Sequence, residues 1–320
     1  MNTIPTTFNP LPASYTVVGG TGKATKAAEG LTLVLLQRGG VVDRASFLEK
    51  CHSLPVTEIL SVERSRGTYE LESLASRFPK VRFILFHEPA NPGQQINVGI
   101  QEALGALCFV LWEDYESDTE LLQKGLASVL SKPAPLCITP WIGMAKNQYL
   151  PVLQVPAFHK SKLKVLSVVP QKEEGLNLFP YDYCGIYHRE IFLRLGGYDP
   201  RIGNPYWQKL DFGFRAFLWG ERIVCRKGLQ GLYLKETPLE DTTPDQSYRL
   251  FFLKNLAVIY SGDQGVLPLR KFFPFYIKSK AGILVALREF QEVRQWVKVH
   301  SYRFKMSSYT ITELWEDPSE

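Results

Sequence analysis

The amino-acid sequence predicts an α/β fold with a mainly parallel sheet flanked by helices, followed by a helical C-terminal extension. Short, mainly apolar runs at residues 31–36, 58–62, 81–86 and 107–112 have the length and composition of strands buried on both faces. Segments with helical periodicity separate them, as in βαβ units with right-handed crossovers. Amphipathic helical patterns dominate after residue 243 and predict the extension.

The first elements follow from local signals. We expect a strand at residues 31–36 and a helix at residues 43–51 whose N-cap is Asp43 or a neighbour. A second strand is expected at residues 58–62, and Thr68 can cap the helix that follows it. Residues 1–28, rich in Thr, Pro, Gly and Ala, are expected to be a flexible lead-in to a main domain at residues 29–243.

The stretch from residue 91 to residue 116 is the centre of the prediction. A turn at residues 91–93 opens a helix that Gly105 ends, and the strand at residues 107–112 comes next. Three acidic residues follow that strand: Glu113, Asp114 and Glu116. Ligands bind at the carboxyl ends of strands in an open α/β sheet, so these acids are placed to hold a divalent metal or a sugar hydroxyl.

The later part of the main domain is less regular. Ser117 can cap a helix, and residues 136–139 fit a short strand. Repeated prolines at residues 140–180 predict an insertion of loops and short strands that forms a lid or faces the acceptor. Strands are expected at residues 222–225 and 228–236.

The extension, residues 244–320, combines helices with positive charge. A helix is expected at residues 246–260, and a basic amphipathic helix runs from Ile283 to His300. The second helix fits either a helix lying on a membrane interface or one packed on the main domain with its lysines in water.

Composition and charge narrow the classes of partner. The 320 residues are 45% apolar and 22% charged, which is typical of an ordinary globule. Residues 263–306 contain nine Lys or Arg and three acids, which gives this segment a net charge of +6. The whole chain has a net charge of +5, so the remainder is close to neutral. This segment favours phosphate-bearing partners such as an anionic membrane, a lipid-linked acceptor or a nucleotide, whereas no motif supports nucleic-acid binding.

Cysteine usage and the N-terminal sequence predict a cytoplasmic protein. The five cysteines lack C-x-x-C spacing and indicate reduced core thiols rather than disulfides or a zinc site. The first residues lack the basic start and apolar core of a secretion signal, and no apolar stretch is long enough to span a membrane. Peripheral contact with the inner membrane surface through residues 263–306 is compatible with this location.

The order N-x-G, N-x-G-I, A-x-G and a strand that ends in acids, found between Asn91 and Glu116, resembles the nucleotide-sugar half of family 2 glycosyltransferases. The resemblance implies their GT-A fold, a nucleotide-diphospho-sugar transferase fold. In that family the strand ends in Asp-x-Asp, and the last carboxylate binds the metal that bridges the two phosphates of the donor. The aligned triplet is Trp112, Glu113 and Asp114, so Asp114 is the implied ligand of Mg²⁺ or Mn²⁺.

The resemblance also implies a binding site for the nucleotide sugar. The first two strands of the family clasp the base, and the residues at those positions are Gln37 and Glu63. The implied nucleotide-sugar-binding residues are Gln37, Glu63, Asn91, Gly93, Asn97, Glu113 and Asp114. The arginines Arg38, Arg64 and Arg66 could meet a phosphate or stack on a base, or they could form a solvated surface cluster with Glu63.

A second block covers residues 181–220 and carries the acceptor side of the resemblance. Asp211 and Arg215 match the family motif Glu-Asp-x-Asp-Leu-x-x-Arg, but the Glu-Asp pair that contains the catalytic base is replaced by Gln208 and Lys209. Inverting transfer needs a carboxylate to take the proton of the acceptor hydroxyl. Asp211 is the remaining acid of the motif. It is either the catalytic residue or half of a brace with Arg215, in which case an acid from the loops would take the proton.

The function implied is metal-assisted transfer of a sugar, with inversion, from a nucleotide-diphosphate sugar to a hydroxyl of a glycan, lipid-linked sugar or protein, as in cell-surface polysaccharide biosynthesis. The alternative is a catalytically inactive GT-A-like binding or partner protein, which the replacements at Trp112, Gln208 and Lys209 favour. A nucleotidyltransferase ranks last because the first strand is not followed by a Gly-rich loop containing Lys.

Overall fold

The computed structural model describes residues 13–20, 30–38, 44–63, 68–116, 119–130, 134–145, 148–159, 162–233 and 239–315. The strands are β1 (Tyr15–Gly19), β2 (Leu31–Leu36), β3 (Glu58–Glu63), β4 (Val81–Phe86), β5 (Leu107–Trp112), β6 (Tyr115–Glu116), β7 (Cys137–Ala145), β8 (Gln148–Tyr149), β9 (Leu153–His159), β10 (Lys162–Val168), β11 (Glu174–Leu176), β12 (Gly185–His188), β13 (Ile223–Tyr233), β14 (Ile259–Ser261) and β15 (Gln264–Val266). The helices are α1 (Arg44–His52), α2 (Thr68–Arg77), α3 (Pro92–Glu102), α4 (Thr119–Leu130), α5 (Arg189–Leu195), α6 (Pro205–Leu218), α7 (Gln246–Phe251), α8 (Phe272–Ser279) and α9 (Ile283–His300).

One large mixed sheet organises the chain. Its strands lie in the order β1, β4, β3, β2, β5, β12, β7, β13 and β11, with β6 beside β13 and β8 beside β7. Strands β2 to β5 pair in parallel, as the sequence predicted. Strand β12 runs antiparallel between β5 and β7.

Helices cover both faces of the sheet. Leu33 and Leu35 of β2 belong to the same buried cluster as Leu48 of α1, whereas Val34 belongs to a second cluster with Ile96 of α3. Alternate residues of a strand point to opposite faces, so the two clusters are the two sides of a three-layer α/β/α arrangement.

Strands β2, β3 and β5 end at the same side of the sheet, which we call the carboxyl edge. Leu36 lies beside Trp112 in the register, and Glu63 is the last residue of β3. The chain segments that follow therefore leave the sheet side by side. They include residues 37–38 and 113–114.

Part of the expected lead-in is ordered. Residues 15–19 form β1, which pairs antiparallel with β4, and the hydroxyl of Tyr15 donates to Glu102 at 2.9 Å. The prediction of a flexible segment was wrong for these five residues, because alternating side chains let them extend the sheet at its edge. The predicted caps Asp43 and Ser117 lie outside the described residues.

Two strand predictions differ from the structure in their bounds. The strand expected at residues 136–139 continues to Ala145, and the two strands expected at residues 222–236 are the single strand β13 as far as Tyr233. These strands pair in parallel over their length, with a shift in register between Arg226 and Gln230. Gly228, which suggested a break between two strands, lies in this bulge within one continuous strand.

The helix expected at residues 246–260 ends early. After α7 the chain makes one wider π-helical turn over Phe252–Leu256, and β14 and β15 form a hairpin around Gly262, which has a φ of +59°. By contrast, α9 spans Ile283–His300 as predicted, while α8 was not anticipated. Among the described residues, no helix is both long and apolar enough to cross a membrane.

Candidate functional site

The carboxyl edge gathers several of the predicted binding residues. Gln37 donates to Glu63, which also accepts from Arg44 at 2.7 Å and from the Ser61 hydroxyl at 2.5 Å. The guanidinium of Arg44 also lies 3.6 Å from Glu113. The structure thus brings Gln37, Glu63 and Glu113 together, and it adds Arg44, the first residue of α1, which sequence reasoning missed.

Asp114 is held by an arginine. Both oxygens of its carboxylate accept from Nε of Arg38, at 3.0 and 3.1 Å, and its side chain is only 3% exposed. The other guanidinium nitrogens of Arg38 contact Asp182. The guanidinium also stacks on Trp112, with its carbon 4.4 Å from the ring centroid, and lies 5.2 Å from the ring of Tyr233.

Asp182 is the second acid of this cluster and was not singled out from the sequence. Asp182 and Tyr183 both have left-handed backbones, with φ of 49° and 62°. Such conformations cost roughly 1 kcal/mol or more for residues other than glycine and need support from their surroundings. The indole of Trp112 donates to the carbonyl of Asp182 at 2.7 Å, and the hydroxyl of Tyr183 donates to Gln208 at 2.8 Å. Trp112, which replaces the first acid of the motif, therefore anchors this turn.

The residues at Asp114 do not fit the divalent metal that the resemblance implied. Among the described residues, no three His, Cys, Asp or Glu side chains come together around a common point. Both oxygens of Asp114 already accept from a guanidinium, whereas Mg²⁺ and Mn²⁺ require several oxygen ligands with open coordination. In this arrangement Arg38 supplies the positive charge at Asp114, and the role of Asp114 as a metal ligand stays a prediction.

Three motif residues pack helices rather than face the carboxyl edge. Asn91 caps α3 and lies 3.1 Å from the side-chain nitrogen of Gln208, while the backbone N–H of Gly93 donates to the Gln208 oxygen at 3.1 Å. The Asn97 amide bonds both the N–H and the carbonyl of Tyr198, each at 2.8 Å. These polar groups tie α3 to residues 198–208, and the prediction that Asn91, Gly93 and Asn97 bind the nucleotide sugar stays a prediction.

Asp211 is a buried brace. It has no exposed surface and accepts from Lys254 at 2.8 Å, Asn255 at 2.9 Å and Arg215 at 3.2 Å. The π-helical turn allows the adjacent residues Lys254 and Asn255 to reach the same carboxylate. In this arrangement Asp211 forms the brace with Arg215 that the sequence allowed, and its role as the proton acceptor stays a prediction.

Asp199 extends the same network. Lys254 donates to it at 3.0 Å, and Arg201 lies 2.7 Å from it. Burial alone would raise the pKa of Asp199, but the two cations lower it below its usual value.

The carboxylate of Glu240 pairs with the motif residue Lys209. Lys209 is buried between the rings of Tyr183 and Phe179, 5.3 and 5.7 Å from Nζ, and it forms an ion pair with Glu240. Burial lowers the pKa of Lys209, an effect that Glu240 opposes. The side chain of Glu240 is 31% exposed, so a ligand can reach its carboxylate. Glu240 was not predicted from the sequence, because no motif near it indicates an ion pair with Lys209.

The whole architecture is similar to a solved glycosyltransferase structure. The crystal structure of GalNAc-T7 with UDP, GalNAc and Mn²⁺ matches 88% of this chain with a TM-score of 0.55 and 14% sequence identity. The fold is GT-A. The chain spans 55% of the length of that GalNAc-T7 chain. In a GT-A sheet, as in other open α/β sheets, ligands bind at the carboxyl ends of the strands, where Gln37, Glu63 and Arg38 lie.

Two other glycosyltransferases were matched with lower scores. They are TarS of S. aureus in complex with UDP-GlcNAc, with a TM-score of 0.46 and 11% identity over 85% of this chain and 73% of that chain, and the mannosyltransferase PcManGT from Pyrobaculum calidifontis in complex with GDP-Man and Mn²⁺, with a TM-score of 0.42 and 10% identity over 94% and 82%. No protein-family model matches the chain, and neither does any curated protein.

Proposed function

We propose that the chain is a glycosyltransferase of the family 2 type that binds a nucleotide-diphosphate sugar at the carboxyl edge. The observation that carries the proposal is the Gln37–Glu63 pair at the ends of β2 and β3 of a GT-A sheet. An amide and a carboxylate side by side offer both a donor and an acceptor to the edge of a base. The proposed acceptor is a hydroxyl of a glycan, a lipid-linked sugar or a protein, in the cytoplasm.

Donor binding in this proposal does not depend on Mg²⁺ or Mn²⁺. Arg38 uses three of the five N–H groups of a guanidinium towards Asp114 and Asp182, and such a planar fork binds phosphate oxygens well. The diphosphate would draw Arg38 away from the aspartates. The solved complex of GalNAc-T7 contains Mn²⁺, so the test compares donor binding with and without Mn²⁺.

Glu240 is the proposed proton acceptor. In an inverting transfer the oxygen of the acceptor bonds to the anomeric carbon, the bond from that carbon to the diphosphate breaks, and the hydroxyl proton moves to a carboxylate. Glu240 is partly exposed and its position is fixed by Lys209, whereas Asp114 and Asp211 are enclosed in ion pairs. The buried lysine would act by positioning Glu240.

The test of the proposal is a calorimetric titration with UDP-sugars and GDP-sugars, each in Mn²⁺ and in EDTA. We expect one nucleotide to bind with a Kd that changes less than about threefold between the two conditions. Glu240→Gln should keep donor binding and lower transfer at least about 100-fold, and Glu174→Gln, an exposed acid paired with Arg226, is the matched control. Binding that requires Mn²⁺ would contradict the role given to Arg38.

The second candidate function is an inactive GT-A-like binding or partner protein. Among the described residues at the carboxyl edge, two arginines, Arg38 and Arg44, face four carboxylates, those of Glu63, Glu113, Asp114 and Asp182. This excess of negative charge disfavours an anionic diphosphate. A flat titration with every nucleotide would favour this function over transfer.

A further inference from the structure

The C-terminal extension exposes apolar side chains where two helices meet. Helices α8 and α9 pack through Phe272, Phe275 and Phe290. The ring centroid of Phe290 lies 5.4 Å from that of Phe272 and 6.3 Å from that of Phe275. The α8–α9 tip, residues 277–285, lies beyond this contact and carries four exposed large apolar side chains. They are Ile277 (75% exposed), Ile283 (55%), Leu284 (79%) and Val285 (52%).

A strip along α8 continues the apolar surface. Phe273 is 69% exposed and lies four residues before Ile277, so the two side chains share one face of the helix. Leu269, a further four residues back, is also exposed. Packing of the helices onto the main domain does not use these side chains, and such a contiguous apolar surface indicates an interaction site.

Only positive charge surrounds this surface along the chain. Between Val266 and Arg288 there are five basic residues and no Asp or Glu; the five are Arg270, Lys271, Lys278, Lys280 and Arg288. Arg288 pairs with Glu292, whereas within the described part of the chain no acidic side chain lies within ion-pair distance of the other four. Glu289, the next acid, is buried against Arg249.

We propose that the α8–α9 tip and the exposed strip of α8 dock on an anionic membrane surface, with the apolar side chains in the headgroup region and the lysines and arginines against lipid phosphates. The combination of exposed aliphatic and aromatic side chains with basic residues matches an anionic bilayer surface. An acidic protein partner would match the charges but would not explain apolar side chains that protrude at the end of a helix pair.

The docking surface differs from the interface helix that the sequence allowed. The apolar face of α9 is buried, with Ala286, Phe290, Val293 and Val297 in the core, so α9 as a whole is the packed helix of the alternative interpretation. Its first turn alone, together with α8, stays available to a membrane. This inference does not rest on the proposed glycosyltransferase activity.

The experiment is co-sedimentation of the full chain with phosphatidylcholine vesicles and with vesicles that contain about one-third phosphatidylglycerol. We expect binding to the anionic vesicles only. The double variant Ile277→Asp/Leu284→Asp should lose roughly 100-fold or more in affinity, because it places charge on two inserted side chains. Arg270→Gln/Lys278→Gln should lose roughly 20-fold and show a weaker dependence on salt.

Val299→Asp is the matched control. Val299 is 56% exposed on α9, about 24 Å along the axis from Ile283 at 1.5 Å per residue, so an aspartate introduced there should leave binding unaltered. Equal thermal unfolding of the variants, all at exposed positions, verifies the fold. Absence of wild-type binding, an unaffected tip variant, or an equal loss in Val299→Asp would overturn the proposal. A wild-type dimer that the tip variant dissociates would show instead that a second copy of the chain covers the surface.

Discussion

Replacing Lys254 by methionine should strongly destabilise the protein. The ammonium of Lys254 is fully buried and lies 3.0 Å from Asp199 and 2.8 Å from Asp211. Removing one partner of a buried ion pair costs about 3–5 kcal/mol, because a charge is left without compensation. Asp211 would keep Arg215 and Asn255, and methionine fills most of the lysine volume. We therefore expect a loss in the free energy of unfolding near the lower limit, about 3 kcal/mol.

The assay is urea denaturation at neutral pH, with Arg288→Gln as the control. Arg288 forms an exposed pair with Glu292 four residues on, and such pairs contribute about 0.3–0.5 kcal/mol. The reasoning is refuted if Lys254→Met loses less than about 1 kcal/mol, since the buried network would then be no stronger than a surface pair.

Asp211→Asn distinguishes the brace from a catalytic role. If Asp211 is a brace, the variant leaves Lys254 without one of its carboxylates and should lower the free energy of unfolding by about 2–3 kcal/mol. A catalytic residue would instead show unchanged stability and a loss confined to transfer.

Three further outcomes are expected. Gly93→Ala should cost about 1–3 kcal/mol in urea denaturation because the new Cβ would lie 2.5 Å from the fixed amide of Gln208, whereas Gly203→Ala, with no atom within 4 Å, should be tolerated; equal effects would contradict this. The depressed pKa of Asp199 means that its contribution is complete above about pH 4 and is lost as the pH falls through the folded pKa, so thermal stability should fall more steeply below pH 4 in wild type than in Lys254→Met. The five buried cysteines should not react with a thiol reagent at pH 8 until the protein unfolds, because burial raises the thiol pKa, to about 12 for Cys51; fast labelling of the native protein would disprove it.

The sequence predicted the parallel half of the sheet well. The runs at Leu31–Leu36, Val81–Phe86 and Leu107–Trp112 became strands with the predicted bounds, because the residues of a buried strand are mainly apolar. The pairing of β7 with β13 was not predictable, because it depends on a long-range register with a bulge. The π-helical turn was not predictable either, because its residues Lys254 and Asn255 bind Asp211, which lies far away in sequence.

The candidate site was predicted only in part. Gln37, Glu63, Glu113 and Asp114 do meet at the carboxyl edge, since their strands are parallel neighbours. Asp182, which binds Arg38, and Glu240, which binds Lys209, could not be deduced because they lie far from these residues in sequence. In the structure, the motif residues Asn91, Gly93 and Asn97 hold α3 against residues 198–208.

The insertion of Lys254 beside Asp211 has a consequence for how such proteins diversify. Because the C-terminal extension supplies a counter-charge for two buried aspartates of the main domain, it is not an exchangeable module. A gene fusion that replaced everything after residue 243 would remove Lys254 from two buried aspartates and leave each of them with one arginine. Such a recombination would lower stability unless Asp199 and Asp211 changed at the same time, so the two parts of the chain are expected to be inherited together.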